Sequence, residues 1–289
     1  MIKITKYFLQ AVIVYLCFII IKLTGLKLSR KLFAYLFTNI GPLIKSGQVV
    51  DGNLNKFIGS YNRDKKAKII LEMWSNYGKT FVEYLFLKKF KKNNLHIKIK
   101  GENILKNIID KKKPVIFVSG HFANFELMSM ELTKRNINLA TIYRPLNNFF
   151  LNPFMEYVRR TYVCKHQIKK GIPGVKSAIS YIKNNFSIAL MIDQRVSEGK
   201  KLSFFKELAL TTTLPSQLSI KYKLEIVPIH ISRDLNDNFE MEIFEPVNFA
   251  NNNDSETAKL DMSIQLNKIL EKMISKNPGQ WIWTHNRWK

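Results

Sequence analysis

The longest uninterrupted apolar pattern comes first. Tyr7–Ile21 reads YFLQAVIVYLCFIII, polar only at Gln10, with Lys3 and Lys6 before it and Lys22, Lys27, Arg30 and Lys31 after it. A run of about fifteen to twenty residues is at the short end of a membrane span. No small-residue cleavage site follows, which argues against a secretory signal peptide. Residues 1–29 are therefore expected to be an uncleaved membrane anchor or a deeply inserted interfacial helix. The basic excess after the run favours a cytoplasmic body. Residues 30–95 read as a basic helical segment. In RDKKAKIILEMWSNYGKTFVEYLFLKKF, Ile69, Met73, Tyr77, Phe81, Tyr84 and Leu85 recur at three- and four-residue spacing. Its lysine-rich face suits either solvent, with the helix packed on the domain, or an anionic bilayer.

From residue 96 the period changes. Short apolar runs predict strands at 96–100, 114–119, 138–143, 187–192, 225–231 and 239–245, and helix-like stretches fall near 124–135, 150–161, 174–184, 213–223 and 255–275. Such alternation predicts an α/β domain over 96–289: a mixed, mostly parallel central sheet flanked by helices, with the last two strands pairing antiparallel. NFANNNDSET (248–257) reads as a polar loop whose DSET caps the last helix. No internal repeat or low-complexity linker is present.

Composition narrows the class. With 46% hydrophobic residues the chain is globular. It carries 46 Lys and Arg against 22 Asp and Glu, a formal charge of +24, and 23 of the basic residues against 6 acidic ones lie in 1–113. Such a field attracts polyanions, either nucleic acid or an anionic membrane; the apolar N-terminal run weighs for the membrane. Cys17 and Cys164 are far apart and make no disulfide framework, which fits a reducing compartment. Neither a glycine-rich phosphate loop nor a metal-ligand spacing occurs, so no nucleotide cofactor and no metal are expected.

The candidate chemistry lies at SGHFANFE, 119–126. His121 follows a strand-like run, where open α/β sheets place their ligands, and Gly120 permits a sharp turn. Asn124 falls near the start of the next helix. Five helical residues rotate by about 140°, so His121 and Glu126 pair only if His121 is in the loop and Glu126 in the first turn, reaching back. A carboxylate fixing one ring nitrogen would leave the other as a general base. Spacing alone makes this a weak signal.

The surrounding order strengthens it. GHFANFE, then YRPLNN (143–148), MIDQR (191–195), FFKELALTTTLPSQLS (204–219) and a terminal NPGQWIWTHNRWK (277–289) resemble the late lipid A biosynthesis acyltransferases, within the wider glycerolipid acyltransferase superfamily, over nearly the whole chain. The resemblance implies an inner-membrane enzyme of bacteria that transfers an acyl chain from acyl carrier protein to a phosphorylated lipid acceptor, with no nucleic acid as partner. It implies His121 as base and Glu126 as its charge-stabilising partner, with direct attack and no acyl-enzyme. It sets Arg144 on a phosphate, although a local salt bridge would also occupy that residue. It gives Asp193 and Gln194 a place at the acceptor sugar or beside Arg144, with a structural role the alternative; Asn124 is grouped with them as substrate-binding. Lys206 stands where the family commonly has a small residue after paired phenylalanines. Thr211–Thr213 would hold an oxyanion or cap the next helix. Trp281, Trp283 and Trp288 read as packing, with interfacial aromatics the alternative; His96, His166 and His230 read as structural, and nothing independently makes His285 or Arg287 catalytic. The same chemistry on a lysophospholipid or other glycolipid is the nearest alternative; a basic membrane- or nucleic-acid-binding protein is the distant one.

Overall fold

Apolar runs too short for helices become the strands of a central sheet. The computed structural model describes residues 2–60, 62–247 and 256–289. In chain order the elements are α1 (Ile2–Ile44), α2 (Gly47–Ile58), α3 (Arg63–Glu83), α4 (Leu87–Lys92), β1 (Ile97–Lys100), α5 (Glu102–Lys111), β2 (Ile116–Ser119), α6 (Glu126–Lys134), β3 (Leu139–Tyr143), α7 (Asn152–Val158), β4 (His166–Lys169), α8 (Ile172–Lys183), β5 (Ser187–Met191), β6 (Lys200–Phe204), β7 (Glu207–Thr211), α9 (Leu214–Tyr222), β8 (Ile226–Arg233), β9 (Phe239–Ile243) and α10 (Glu256–Lys276). Seven strands pair in the order β1-β9-β8-β2-β5-β3-β4. All neighbours are parallel except β8 and β9. The expected mixed, mostly parallel sheet and its late antiparallel pair are both present. The expected cap at DSET lies mostly outside the described residues.

Alternation across β2 builds two core layers. Ile116 and Val118 point into one, with Ile188, Leu190, Ile226 and the α8, α9 and α10 faces. Phe117 points into the other, with Ala189, Val227, Ile229 and residues of α5 and α6. Each fully buried side chain of this kind contributes about 1.5–3 kcal/mol from apolar burial. Because β2, β5, β3, β4 and β8 run in one direction, their carboxyl ends share an edge, and the loops after β2, β3, β4 and β5 meet there.

Four elements escaped the sequence pattern: α5, β4 and the hairpin β6–β7. β4 is a short polar edge strand, HQIK, with one buried residue, Ile168. The hairpin turns at Phe205 and Lys206, which have φ of 51° and 65°. Two positive φ values are those of a type I′ turn, which favours Asn-Gly. That geometry accounts for the small residue expected at Lys206, and its absence hid the turn.

α1 is long and apolar enough to cross a membrane. Gly25, at φ 75° and ψ 172°, kinks it; that left-handed backbone favours glycine. Past the kink, α1 packs against α3 so closely that a Cβ on Gly78 would collide with the Phe33 carbonyl.

Candidate active site

β2 ends at Ser119, and the next six residues form an irregular loop before α6. A Cβ at Gly120 would come within 2.7 Å of the Phe122 ring and 3.3 Å of Asp193 Cβ, so glycine is needed here for close approach. Ala123 takes φ 43°, a strained conformation for a residue with a Cβ. The loop is pinned at that residue from both sides: Ala123 N–H donates to Gln280 O at 2.9 Å, and Thr80 Oγ1 donates to Ala123 O at 3.2 Å.

His121 is in this loop and Glu126 opens α6, as expected, but the imidazole is held by a different carboxylate. His121 Nδ1 lies 2.8 Å from Asp193 Oδ1, and His121 N–H donates to Asp193 Oδ2 at 2.9 Å. Trp281 Nε1 donates to the same Oδ2 at 2.8 Å. Asp193 follows β5, the neighbour of β2, so the two strand ends bring the pair together. The carboxylate is fully buried, whereas the imidazole is one-fifth exposed. Burial pushes the Asp193 carboxyl up, but the His121 charge and the hydrogen bonds from His121 and Trp281 outweigh it and hold it below its ordinary value. An ionised Asp193 favours the proton on Nδ1. Among the described residues Nε2 has no hydrogen-bond partner, which leaves it for a substrate.

The expectation that Glu126 reaches back to the imidazole is thereby corrected. Glu126 Oε1 accepts from Tyr84 Oη at 2.9 Å and from Arg159 Nε at 2.8 Å. The reason is the entry to α6: the side chain leaves the first turn on the side of Tyr84 and Arg159, while His121 turns toward β5. Arg159 opens a π-helical turn, Arg159–Val163, that continues α7; such turns recur at functional sites. Burial lowers the Arg159 guanidinium's pKa, yet Glu126 and Tyr84 reverse this and raise it.

Asn124, expected to bind substrate, is held by a side chain of α3. It is buried, and its Nδ2 donates to Glu83 Oε2 at 2.9 Å. Glu83, itself fully buried, also pairs with Arg30 Nε at 2.8 Å and with both terminal nitrogens of Arg233. Arg233 further donates to Asn76 Oδ1 and Thr80 Oγ1. Arg30 of α1, Glu83 of α3 and Arg233 of β8 thus form a buried clamp beside the loop that carries His121.

Arg144, expected at a phosphate, stands at the strand ends. It is exposed after β3, with Nη2 donating to Asn147 Oδ1 at 3.3 Å. Lys170, just past β4, is a neighbour missed in the sequence. Partial burial and the Arg144 charge lower its amine's pKa, Glu198 opposing them. Gln194 is half-buried beside Asp193. Arg195 N–H donates to His285 Nε2 at 2.8 Å, and burial brings His285 down to about 4, so the ring is a neutral acceptor. Arg195 Nε is buried without a partner.

The remaining expectations resolve as packing. Trp281 and Trp283 are fully buried; Trp281's bond to Asp193 had no signal in the sequence, because the two are distant in the chain. Arg287 is enclosed, its Nη2 donating to Thr211 Oγ1 at 2.7 Å, and burial lowers its guanidinium to about 10. Thr212 Oγ1 accepts from Leu214 N and Thr213 Oγ1 from Gln217 Nε2, so these hydroxyls serve the start of α9. His96 stacks on Phe90, His166 packs on Tyr181, and His230 meets Phe122 edge-on. Among the described residues no cluster of His, Cys, Asp and Glu is arranged to hold a metal.

A family model described as bacterial lipid A biosynthesis acyltransferase matches residues 1–289. No curated protein matches the chain.

Proposed function

Because the chain belongs to the bacterial lipid A biosynthesis acyltransferase family, we propose that it moves a fatty acyl chain from acyl carrier protein to a hydroxyl of a lipid A precursor. The observation that carries this reading is the His121–Asp193 pair at the carboxyl edge of the sheet. Asp193 orients the imidazole and stabilises its protonated form. His121 Nε2 takes the proton of the acceptor hydroxyl as its oxygen attacks the thioester carbonyl. The new C–O bond forms, the C–S bond breaks, and the imidazolium returns the proton to the departing thiolate.

A direct transfer suits the cysteines. Burial pushes the Cys164 thiol up, and its Sγ donates to Leu139 O at 3.1 Å, which makes it a poor nucleophile. Arg144, with Lys170 within range of its charge, supplies positive charge at the edge of the sheet that carries the base. A guanidinium there holds a phosphate of the acceptor bidentately, and Gln194, half-buried next to Asp193, binds a hydroxyl of the acceptor sugar. Glu126 acts here as a positioning residue, keeping Arg159 and the first turn of α6 in place. The +24 charge suits an acidic carrier protein and an anionic membrane alike. The site works at the inner membrane, with the catalytic domain on the cytoplasmic side.

The test is to incubate membranes containing the protein with several acyl–acyl carrier proteins and an under-acylated lipid A precursor, reading the lipid by mass spectrometry. A mass gain of one acyl chain is expected. Acylation of a lysophospholipid or another glycolipid instead would keep the chemistry and discard the acceptor; no acylation of any lipid would discard the enzyme.

A further inference from the structure

The first half of α1 lies along the domain instead of projecting from it. Tyr7, Ala11, Val14, Phe18 and Ile21, three or four residues apart, turn away from solvent, with Cys17 beside Phe18. At 1.5 Å per residue this stripe runs for about 21 Å. Much of it meets the loop between β3 and α7. The Tyr7 carbonyl accepts from Asn148 Nδ2 at 2.9 Å, and Tyr15 Oη donates to Phe150 O at 3.1 Å. The Tyr7 ring lies edge-on to Phe149, Phe8 edge-on to Phe150, and Phe18 is 4.9 Å from Phe154. Farther along, Lys22 Nζ donates to Leu85 O at 3.0 Å.

The opposite face of the helix is apolar and open. Leu9, Ile13, Leu16, Ile20 and Leu23 are 45–82% exposed, and on the docked loop Leu146 and Phe149 are exposed as well. Lys3, Lys6 and Gln10 fall together on one flank at helical spacing. If α1 crossed a bilayer, Tyr7 and Ile21 would lie near opposite sides of a hydrocarbon core about 30 Å thick. The loop bound to Tyr7 would then be carried to the far side. That loop holds Asn147, Asn148 and, four residues before Asn148, the exposed Arg144. Burying such groups in lipid is costly, whereas a helix lying flat keeps them at the headgroups with its apolar face in the acyl boundary.

We propose that the outward face of α1, with Leu146 and Phe149, is a bilayer-docking surface, and that the first half of α1 lies in the plane of an anionic membrane rather than across it. This rests on the membrane-anchored reading above and deepens it. The edge that carries His121 and Arg144 then faces the headgroup layer, where a phosphorylated lipid presents itself without leaving the membrane. Lys3, Lys6, Lys22, Lys27 and Lys31 supply charge complementary to anionic lipid.

The test is sidedness, independent of acyl transfer. In a chain carrying Cys17→Ala and Cys164→Ala, Lys3→Cys places a thiol near the start of α1. A second chain carries Leu235→Cys in the exposed turn between β8 and β9. Thermal midpoints within a few degrees of the parent show both are folded. Each is treated with a membrane-impermeant maleimide in intact spheroplasts and in inverted membrane vesicles. Labelling of both thiols in the same preparation, at least tenfold above the other, is the expected result. Lys3→Cys labelled from the side opposite Leu235→Cys, or from neither side until detergent exposes it, overturns the proposal while leaving the anchored enzyme intact. Recovery of the parent in the soluble fraction would overturn the anchored reading and the docking surface with it.

Discussion

Asp193→Asn isolates the imidazole's partner with almost no change of shape. Asp193 Oδ2 accepts two N–H bonds, from His121 N at 2.9 Å and Trp281 Nε1 at 2.8 Å. An asparagine therefore keeps its carbonyl there and turns its amide toward His121 Nδ1, 2.8 Å from the other oxygen. A donor facing Nδ1 forces that nitrogen to accept, which moves the ring proton to Nε2, the atom that has to take the hydroxyl proton. The carboxylate is fully buried, so water does not repair the mismatch. General-base catalysis contributes about 10²–10⁴-fold, and the wrong tautomer in an Asp–His pair costs about 10⁴-fold in kcat. We expect a loss of about 10³–10⁴-fold, which is about 4–5.5 kcal/mol of barrier. The folded state loses charge-assisted hydrogen bonds worth about 1.5–3 kcal/mol each in general, so the thermal midpoint falls while the protein still folds. The assay is single-turnover acyl transfer to a lipid A precursor under saturating acyl donor. In parallel, Glu126→Gln should lower the thermal midpoint but cost less than about tenfold in the chemical step, because its partners are Tyr84 and Arg159. A folded Asp193→Asn protein within threefold of wild type, or a Glu126→Gln protein that is the more damaged of the two in chemistry, refutes the assignment.

Other perturbations reach the scaffold. Glu83→Gln leaves the buried Arg30 and Arg233 without their countercharge; removing one partner of a buried ion pair costs about 3–5 kcal/mol, so chemical denaturation should show a loss of that order, and a loss below 1 kcal/mol would contradict the clamp. Lys206→Gly relieves a left-handed φ of 65° and should raise stability by about 1 kcal/mol; a drop would mean that the lysine side chain makes contacts that matter more than its backbone. Burial holds His230 down to about 4. The unfolded ring, at about 6.5, then binds its proton first as pH falls, so stability from this group is full above pH 6.5 and is lost progressively toward pH 4, by about 3 kcal/mol in all. Thermal midpoints across that range should fall with decreasing pH, and His230→Gln should flatten the slope; an unchanged slope would remove His230 as its source.

Periodicity read the long elements well and the short ones poorly. β2, β5 and β8 are buried on both faces, so their sequences are continuous apolar runs and legible as such. β4 escaped because an edge strand with one buried residue carries no run, and the hairpin because Phe205 and Lys206 adopt positive φ without a glycine to mark it. At the site, placing His121 after a strand was enough to locate the loop that carries the proposed base. Its partner was misassigned because sequence spacing reports neighbours along α6, whereas Asp193 arrives from β5 through the sheet. The same limit applies to Trp281 and to Glu83, whose partners lie on α1, β8 and the site loop. Arg144 was legible because it stands at the end of its own strand; Lys170 comes within range of its charge only when β4 is set beside β3.

His121, oriented by Asp193, is proposed to remove a proton from a lipid hydroxyl during acyl transfer. The most direct test is His121→Ala against wild type, with equal amounts of folded, membrane-bound protein, acyl–acyl carrier protein and lipid A precursor, the lipid product being counted by mass spectrometry. One acyl chain added by the wild type is expected, with a rate lower by about 10³-fold or more in the variant and both proteins still binding the membrane. Equal rates from the two proteins would contradict that role of His121.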